Sequence, residues 1–351
     1  MRLLFGYSIL SLLLILFSCK KEEVGPQCKN CIENPIIPNS DNKILIINEG
    51  NFGFGNASIS LYNPTSNILN NNVFQQANNY PLGDVAQSAV LFENKLYIVV
   101  NNSGKIEVVN KDTYTSIATI TSLISPRHIL PINSSKAYVS NIFSNQIQIL
   151  NLSNNSISGS ITTASNWTEE MLLFNDTAYV CDMKNNNLLL INTTNDQLID
   201  SVKMGVQPNS IVIDKNNKFW ILCDGGFNTD FPKLIKFNPQ TRNIEQTLIF
   251  TDMNSSPSDL SIDGNKENLY FINHHVYKIN CTDNILPTSN WLSNNSQVFY
   301  SIGIDPYSNN IYISDAKDFV QNSSILRYSK NGLLLGSFQA GIISGGFLFL
   351  P

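Results

Sequence analysis

The sequence has little charge and few of the residue patterns on which enzymes depend. Of 351 residues, 14% are charged, the net charge is −5, and three are histidine. A basic stripe is absent, which argues against nucleic acid as a partner. The HExxH, GxSxG, GxGxxG and Walker-type motifs are absent too. We therefore expect a non-enzymatic protein without a metal or cofactor.

The three histidines do not suggest a metal centre. His128 follows Arg127 at the start of a predicted strand. His274 and His275 are adjacent on another predicted strand, so their side chains should point to opposite faces. Of the three, His275 is kept as a candidate ligand contact.

Stretches that favour helices, rich in Ala, Glu and Lys, are also absent, whereas Asn, Ser, Ile and Thr are abundant. β-branched residues favour strands and Asn favours turns, so the composition predicts an all-β protein. A hydrophobic content of 42% supports a sizeable core. The length is compatible with one large β domain.

Residues 1–18 combine an early Arg with a long apolar run, the pattern of a secretory signal peptide. The run is too short to be a convincing membrane span, although an N-terminal anchor helix is the alternative. Leu16-Phe17-Ser18-Cys19 resembles the lipobox of bacterial lipoproteins. The resemblance implies lipidation at Cys19, with several acyl chains that anchor the protein to the outer membrane.

Residues 19–42 form a Pro- and Asn-rich linker without an apolar period. The residues Lys21, Glu22 and Glu23 resemble the surface-export signal of Bacteroidota lipoproteins, and a solvated spacer is the alternative. Cys28 and Cys31 form a CxxC pair, which we interpret as a local disulfide in an oxidising compartment.

A strand–turn pattern repeats every roughly 40 residues, the length of a four-stranded β-propeller blade. Six full repeats occur, and they start at Ala86, Pro126, Glu169, Pro208, Pro257 and Tyr300. Cys181, Cys223 and Cys281 lie in strand-like contexts and are predicted to be small buried residues.

The two ends of the repeat region are incomplete in complementary ways. The segment from Lys43 has the second, third and fourth strands of the pattern, whereas ISGGFLFLP at 343–351 resembles a first strand alone. Pairing them completes a seventh blade and closes the ring. A sandwich or an open solenoid does not predict such half-units. We therefore predict a seven-bladed propeller over residues 43–351.

The KAYVSN and IQILNLSNNSISGSI patterns resemble the YncE-like, YVTN-type propellers. The opening INEGNFGFGNASISLYNP is similar to a Bacteroidota family of surface propeller lipoproteins that includes the cobalamin-capturing BtuG group. This resemblance implies capture of a small-molecule ligand for a TonB-dependent outer-membrane transporter. Corrinoids are among the ligands that it implies. It assigns no ligand contact to any individual residue.

Propellers commonly bind ligands on the face that carries the loop into each first strand and the loop out of each second strand. We call these the lead-in and exit loops. Asp182, Asp224 and Asp315 end equivalent strands, so turn formation is an alternative to ligand or cation binding. The lead-in candidates are Gln87, Arg127, Trp167, Glu169, Asn209, Asp259 and Tyr300; the exit candidates are Glu49, Asn51, Phe52, Phe54, Asn102, Phe143, Asp182, Asp224, Phe227, His275 and Asp315.

This mixture of aromatic, amide and charged groups suits a large, flat, polar ligand or a protein partner. The leading hypothesis is a lipid-anchored, surface-exposed capture protein. The alternatives are a protein-binding adhesin or scaffold and, with less support, a propeller lyase or hydrolase.

Overall fold

A computed structural model describes residues 42–351, which form 27 strands and one short helix. Among these residues, no helix combines the length and apolar character needed to cross a membrane. The predicted features that lie outside the described residues are the signal peptide, Cys19, Lys21, Glu22, Glu23, Cys28 and Cys31.

The strands are short and follow one another with tight turns. The helix α1 spans Val73–Asn78, between β3 and β4. The strand bounds, in chain order, are β1 Lys43–Asn48, β2 Ser58–Asn63, β3 Ile68–Asn70, β4 Ala86–Phe92, β5 Lys95–Val100, β6 Lys105–Asn110, β7 Ser116–Ile120, β8 Pro126–Asn133, β9 Lys136–Asn141, β10 Gln146–Asn151, β11 Ser156–Thr162, β12 Thr168–Phe174, β13 Thr177–Asp182, β14 Asn187–Asn192, β15 Gln197–Lys203, β16 Pro208–Ile213, β17 Phe219–Cys223, β18 Lys233–Asn238, β19 Asn243–Ile249, β20 Ser258–Ile262, β21 Asn268–Asn273, β22 His275–Asn280, β23 Phe299–Ile304, β24 Ile311–Asp315, β25 Asn322–Tyr328, β26 Leu334–Ile342 and β27 Ser344–Leu350.

The strands form seven antiparallel sheets, which are the blades of a β-propeller. Blade one has the order β27-β1-β2-β3, and blades two to five are the consecutive groups β4–β7, β8–β11, β12–β15 and β16–β19. Blade six contains β20–β22, and blade seven contains β23–β26. The first strand of every blade contacts the first strands of both neighbours, so the ring is closed. The predicted all-β, seven-bladed fold is confirmed.

Closure occurs where the sequence predicts it. β27 pairs antiparallel with β1, with Lys43 opposite Leu350 and Asn48 opposite Ser344. The fully buried Asn48 pins this seam, because its Oδ1 accepts from Ser344 Oγ at 2.7 Å. Its Nδ2 donates to Ser60 Oγ at 2.9 Å on the other side. The chain's last strand is therefore the innermost strand of its first blade.

Aromatic side chains on the second strands fill the spaces between blades. The second or third residue of this strand is aromatic and buried in six blades, at Tyr97, Tyr138, Tyr179, Trp220, Tyr270 and Tyr312. Cys181, Cys223 and Cys281 are also buried and unpaired, as predicted. Burial of each of the six aromatic side chains stabilises the ring by about 1.5–3 kcal/mol.

Blade six departs from the predicted four strands, because it has only three. Residues 281–298 cover its outer edge without forming a strand, apart from one bridge between Val276 and Leu292. Leu286 packs against the core between blades five and six, whereas Trp291 packs against the core between blades six and seven. The segment therefore wraps around the outer strand of this blade.

Candidate functional site

The lead-in and exit loops lie at one end of the ring, as the antiparallel pairing requires. Pro126 at the start of β8 is opposite Asn141 at the end of β9. Thr168 at the start of β12 is likewise opposite Asp182 at the end of β13. We call this face the mouth.

Every first strand begins with a β-bulge at the mouth, where its register against the second strand shifts. A bulge leaves an extra residue without a partner and redirects its side chain. We call the residues at this equivalent position the bulge ring, which consists of Gln87, Arg127, Glu169, Asn209, Asp259, Tyr300 and Gly345.

The bulge ring lines a central cavity of about 610 Å³ that Glu49, His128, Trp167 and Glu170 also line. Blade one contributes a glycine because Glu49 occupies the space in front of it. A Cβ at Gly345 would overlap Glu49 Oε1. The structure thus brings together seven lead-in candidates and one exit candidate, and their role in ligand binding stays a prediction.

Arg127 organises one side of the cavity. Its Nε donates to Glu169 Oε1 at 3.0 Å and Oε2 at 2.9 Å, and its Nη1 donates to Gln87 Oε1. Trp167 Nε1 also donates to Glu169 Oε1, at 2.7 Å. Burial alone would raise the pKa of Glu169, but hydrogen bonds and charges from His128 and Arg127 lower it to about 2. Glu169 is therefore an ionised carboxylate whose oxygens already accept hydrogen bonds from Arg127 and Trp167.

The opposite side of the cavity holds a carboxyl group with the reverse behaviour. Tyr300 OH donates to both oxygens of Glu49 at 3.0 Å. Burial raises the pKa of Glu49 to about 7, although the Tyr300 hydrogen bond and the charge of Arg127 oppose the rise. Burial also raises the pKa of Tyr300, and the nearby Glu49 adds to this. Glu49 can therefore donate or accept a hydrogen bond near neutral pH.

Two further carboxyl groups in the cavity, Glu170 and Asp259, also have a raised pKa. Burial raises the pKa of Glu170, whose Oε2 accepts from Ile211 N at 2.9 Å. Burial raises the pKa of Asp259 well above its usual range, and the charge of Glu170 contributes. A carboxyl group donates a hydrogen bond only while it holds its proton, so the raised pKa values favour neutral amide or hydroxyl groups over anions in this cavity. Within residues 42–351, no cluster of three or more His, Cys, Asp or Glu could hold a metal ion.

Exposed phenylalanines surround the cavity. Phe52, Phe54, Phe143 and Phe227 are 75%, 78%, 72% and 66% exposed. Every exposed Phe in residues 42–351 lies on an exit loop, and Phe231 and Phe319 complete the set. The Phe319 ring meets Tyr300 edge to face at 5.7 Å, which connects this rim to the cavity.

Three of these phenylalanines have an unusual backbone conformation. Phe143, Phe227 and Phe319 have φ values of 75°, 37° and 61°. A bulky residue rarely adopts a positive φ, and such strain of roughly 1–3 kcal/mol clusters at functional sites. The loops thus hold exposed aromatic side chains in conformations that backbone preference alone would not select.

The remaining polar exit candidates do not line the central cavity but form hydrogen bonds within or between loops. Asp182 accepts from Asn185 N at 3.0 Å, Asp224 from Gly226 N at 2.8 Å, and Asp315 from Lys317 N at 3.0 Å. Asn51 Nδ2 donates to Phe319 O at 2.6 Å, and Asn102 Nδ2 to Asp84 Oδ2 at 2.6 Å. These contacts shape the rim, and the turn-forming alternative describes the three aspartates well.

The prediction for the adjacent histidines is wrong. His274 is the single residue between β21 and β22, with φ 57°, so the two histidines do not share one strand. Both line the same cavity, which is separate from the central one. A one-residue turn abolishes the alternation on which the prediction depended.

Sequence reasoning missed His128 and Glu170, which line the central cavity beside Arg127 and Glu169. Strand alternation would place such neighbours on opposite faces. The bulges at 126–129 and 168–171 remove that alternation. The available signal was a pair of adjacent polar residues at the same repeat position in two blades, Arg127-His128 and Glu169-Glu170.

Comparisons with known proteins agree on the fold. A family model described as "Domain of unknown function (DUF5074)" matches residues 42–340. No curated protein sequence matches the chain. A quinonprotein alcohol dehydrogenase-like protein from Bacteroides thetaiotaomicron is similar in structure, with a TM-score of 0.70 and 12% identity over 88% of this chain and 78% of that chain.

Two further solved structures are similar over nearly their whole length. A 6-phosphogluconolactonase-like protein from Bacteroides fragilis has a TM-score of 0.65 and 13% identity, over 91% of this chain and 100% of that chain. A protein from Lactobacillus plantarum has a TM-score of 0.65 and 13% identity, over 88% and 99%. At such identities the likeness establishes the propeller fold alone.

Proposed function

We propose that this chain, which belongs to the DUF5074 family, captures a ligand across its mouth and releases it chemically unchanged. One observation carries the proposal: every exposed Phe of residues 42–351 lies on the exit loops around the polar central cavity. Exposed aromatic side chains that cluster on one face are typical of binding sites. Arg127 and Glu169 are hydrogen-bonded to each other, so neither is free to act on a ligand.

A corrinoid is the ligand class that we favour, as the resemblance to the BtuG group implies. A corrin macrocycle would lie across the opening, where the Phe rim can cover its apolar faces. Its peripheral carboxamides can reach the cavity, where Glu49 can donate or accept a hydrogen bond near neutral pH and Glu170 and Asp259 add further carboxyl groups. His275 is not part of this proposed site, because it lies in the separate cavity.

A protein partner is the second candidate, since the same aromatic rim would suit an adhesin or scaffold. The cavity favours the small-molecule hypothesis, because a volume of about 610 Å³ falls within the usual range of ligand pockets.

Calorimetry with cyanocobalamin and cobinamide, on the purified full chain in detergent, tests the corrinoid proposal. Phe54→Ala and Phe143→Ala should each weaken binding by roughly 1–3 kcal/mol without loss of melting temperature. Leu333→Ala is the matched control, because this residue is 68% exposed on the loop between β25 and β26, at the opposite face. Absence of heat at millimolar ligand would exclude corrinoids and favour a protein partner.

The location of the protein is a separate proposal that depends on residues before Lys43. We infer that Cys19 is lipidated, that the protein is anchored in the outer membrane at the cell surface, and that a TonB-dependent transporter receives the ligand. Cys19→Ala should release the protein from membranes. Replacement of Lys21, Glu22 and Glu23 by Ala should keep it membrane-bound but protected from added protease; cleavage on intact cells would contradict export by this signal.

A further inference from the structure

A second cavity, of about 680 Å³, lies between blades five and six and shares no lining residue with the central cavity. Its walls come from residues 249–252 after β19, from the turn between β21 and β22, and from Leu286, Pro287 and Thr288. The last three belong to the segment that replaces the missing fourth strand of blade six. The cavity is thus a consequence of the one blade that lacks an outer strand.

Asn273, which lines this cavity, carries a buried acceptor without a partner among the described residues. Asn273 Oδ1 is buried and has no hydrogen-bond partner within residues 42–351, whereas Asn273 Nδ2 donates to Ser255 Oγ at 3.3 Å. An unsatisfied buried carbonyl oxygen destabilises the fold unless a donor meets it. A ligand hydroxyl or N–H would satisfy it once the Asn273 side chain turns toward the cavity.

His275 provides a donor in the same cavity. Its Nδ1 accepts from Asn294 N at 3.2 Å, so in the neutral imidazole the proton is on Nε2. Thr251, Ser255 and Thr288 add hydroxyl groups to the lining. Hydroxyls can donate or accept, so the polar part of this cavity matches ligands that do both.

Aromatic rings form the apolar wall. Phe271 and Tyr277 are opposite each other on β21 and β22, and their rings stack at 5.5 Å with an interplanar angle of 8°. Phe250 meets Phe271 edge to face at 5.5 Å. All three rings line the cavity. Phe250 and Phe271 are buried, whereas Tyr277 is half-buried and can contact the C–H groups of a sugar ring.

Charge narrows the ligand class further. Among the described residues that line this cavity there is no Lys or Arg, and Asp252 is the one carboxylate. Phosphates and carboxylates would find neither Lys nor Arg to pair with. We propose that the cavity binds a short uncharged glycan, with Asn273 and His275 as hydrogen-bonding partners and Tyr277 in contact with a sugar ring. This site is independent of the mouth and goes beyond the proposed function.

Saturation-transfer NMR on the full chain tests the proposal with maltose, lactose and N,N′-diacetylchitobiose as probes. At least one disaccharide should give signals, and excess cyanocobalamin should not suppress them. Asn273→Leu removes the unpaired acceptor and should weaken binding roughly three- to tenfold, as expected for one hydrogen bond. Thr288→Trp should fill the space and abolish the signals.

Leu333→Ala, on the opposite face, is the control and should bind like the wild type. Unchanged melting temperatures separate lost binding from lost folding, and Thr288→Trp covers the case in which Asn273→Leu does not fold. Absence of signals from all three disaccharides at millimolar concentration would overturn the proposal. Unchanged binding by a folded Thr288→Trp protein, or suppression by cyanocobalamin, would also overturn it.

Discussion

Blades one and six both depart from four consecutive strands, but they do so in opposite ways. Blade one lacks its innermost strand locally, and β27 supplies it from the far end of the chain. Blade six lacks its outermost strand, and the irregular segment 281–298 covers the edge instead. The ring replaces a missing inner strand with a strand, whereas it replaces a missing outer strand with a loop.

The difference follows from what each position contacts. An inner strand contacts the inner strands of both neighbouring blades, so its loss would open the ring. An outer strand has one hydrogen-bonded neighbour, so a loop can cover the exposed edge. A propeller is therefore least tolerant of change at its centre, and new cavities can arise at its rim.

Deletion of residues 342–351 should give the largest effect. Phe347 and Phe349 lie 6.2 and 5.8 Å from the ring of Tyr312, and Leu350 is buried. Each buried side chain contributes about 1.5–3 kcal/mol, against a typical total stability of ~5–15 kcal/mol. We expect loss of the cooperative transition in calorimetry. Replacement of residues 284–289 in blade six by a Gly/Ser segment of equal length should preserve the cooperative transition. Loss of the transition in both proteins would contradict the inference that the inner strand matters more than the outer edge.

Glu49→Gln should change how stability depends on pH. Burial raises the pKa of Glu49 from 4.5 to about 7, so the folded state holds a proton that the unfolded state has lost between these values. Stability therefore falls as pH rises from 4.5 to 7, by roughly 3 kcal/mol for this group. Urea unfolding at pH 5 and pH 8 should show a smaller fall in the variant. Equal falls in both proteins would contradict the burial of this carboxyl group.

Gly345→Ala should destabilise the seam of blade one by about 1–3 kcal/mol, because the new methyl group overlaps the Glu49 carboxyl. Gly346→Ala is the matched control, since its Cβ would meet the Ile47 side chain at 3.3 Å, which can move. Denaturant unfolding should give Gly345→Ala a lower free energy of unfolding than Gly346→Ala. The double variant Gly345→Ala/Glu49→Ala should recover part of the lost stability, because the overlapping carboxyl group is gone. If the losses of the two single variants simply add in the double variant, the steric explanation is excluded.

Ile285→Ser in blade six should have the smallest effect. This residue is 74% exposed on the covering segment, so we expect a change within about 0.5 kcal/mol. Its neighbour Leu286 packs against the core between blades five and six, so Leu286→Ser should cost roughly 1 kcal/mol or more. Equal melting temperatures for the two variants would indicate that the segment does not pack on the blade.

Much of the fold was predictable because the repeat is local. Strand alternation and Asn-rich turns locate β1 at Lys43–Asn48, and complementary half-units predict its pairing with the last strand. The helix α1 was not predictable, because its N-cap Asn72 makes no side-chain cap bond. It forms where Val73 and Phe74 are buried, which is a tertiary effect.

The candidate site was only partly predictable for a related reason. Repeat alignment finds Gln87, Asn209 and Tyr300 because each follows the same turn in its blade. It cannot find the β-bulges that bring His128 and Glu170 to the cavity, since a bulge has no fixed residue signature. The empty position at Gly345, which Glu49 fills from the exit loop, is also visible only in three dimensions.

The seam of blade one has a mechanical consequence. β1 lies between β27 and β2, and hydrogen bonds join it to both. A pull on the chain before Lys43 acts along this strand, so the bonds on both flanks bear the force together rather than break one after another. Ser344 and Ser60 hold the far end of β1 through Asn48. Traction on the preceding segment would therefore meet resistance from the strand that closes the ring.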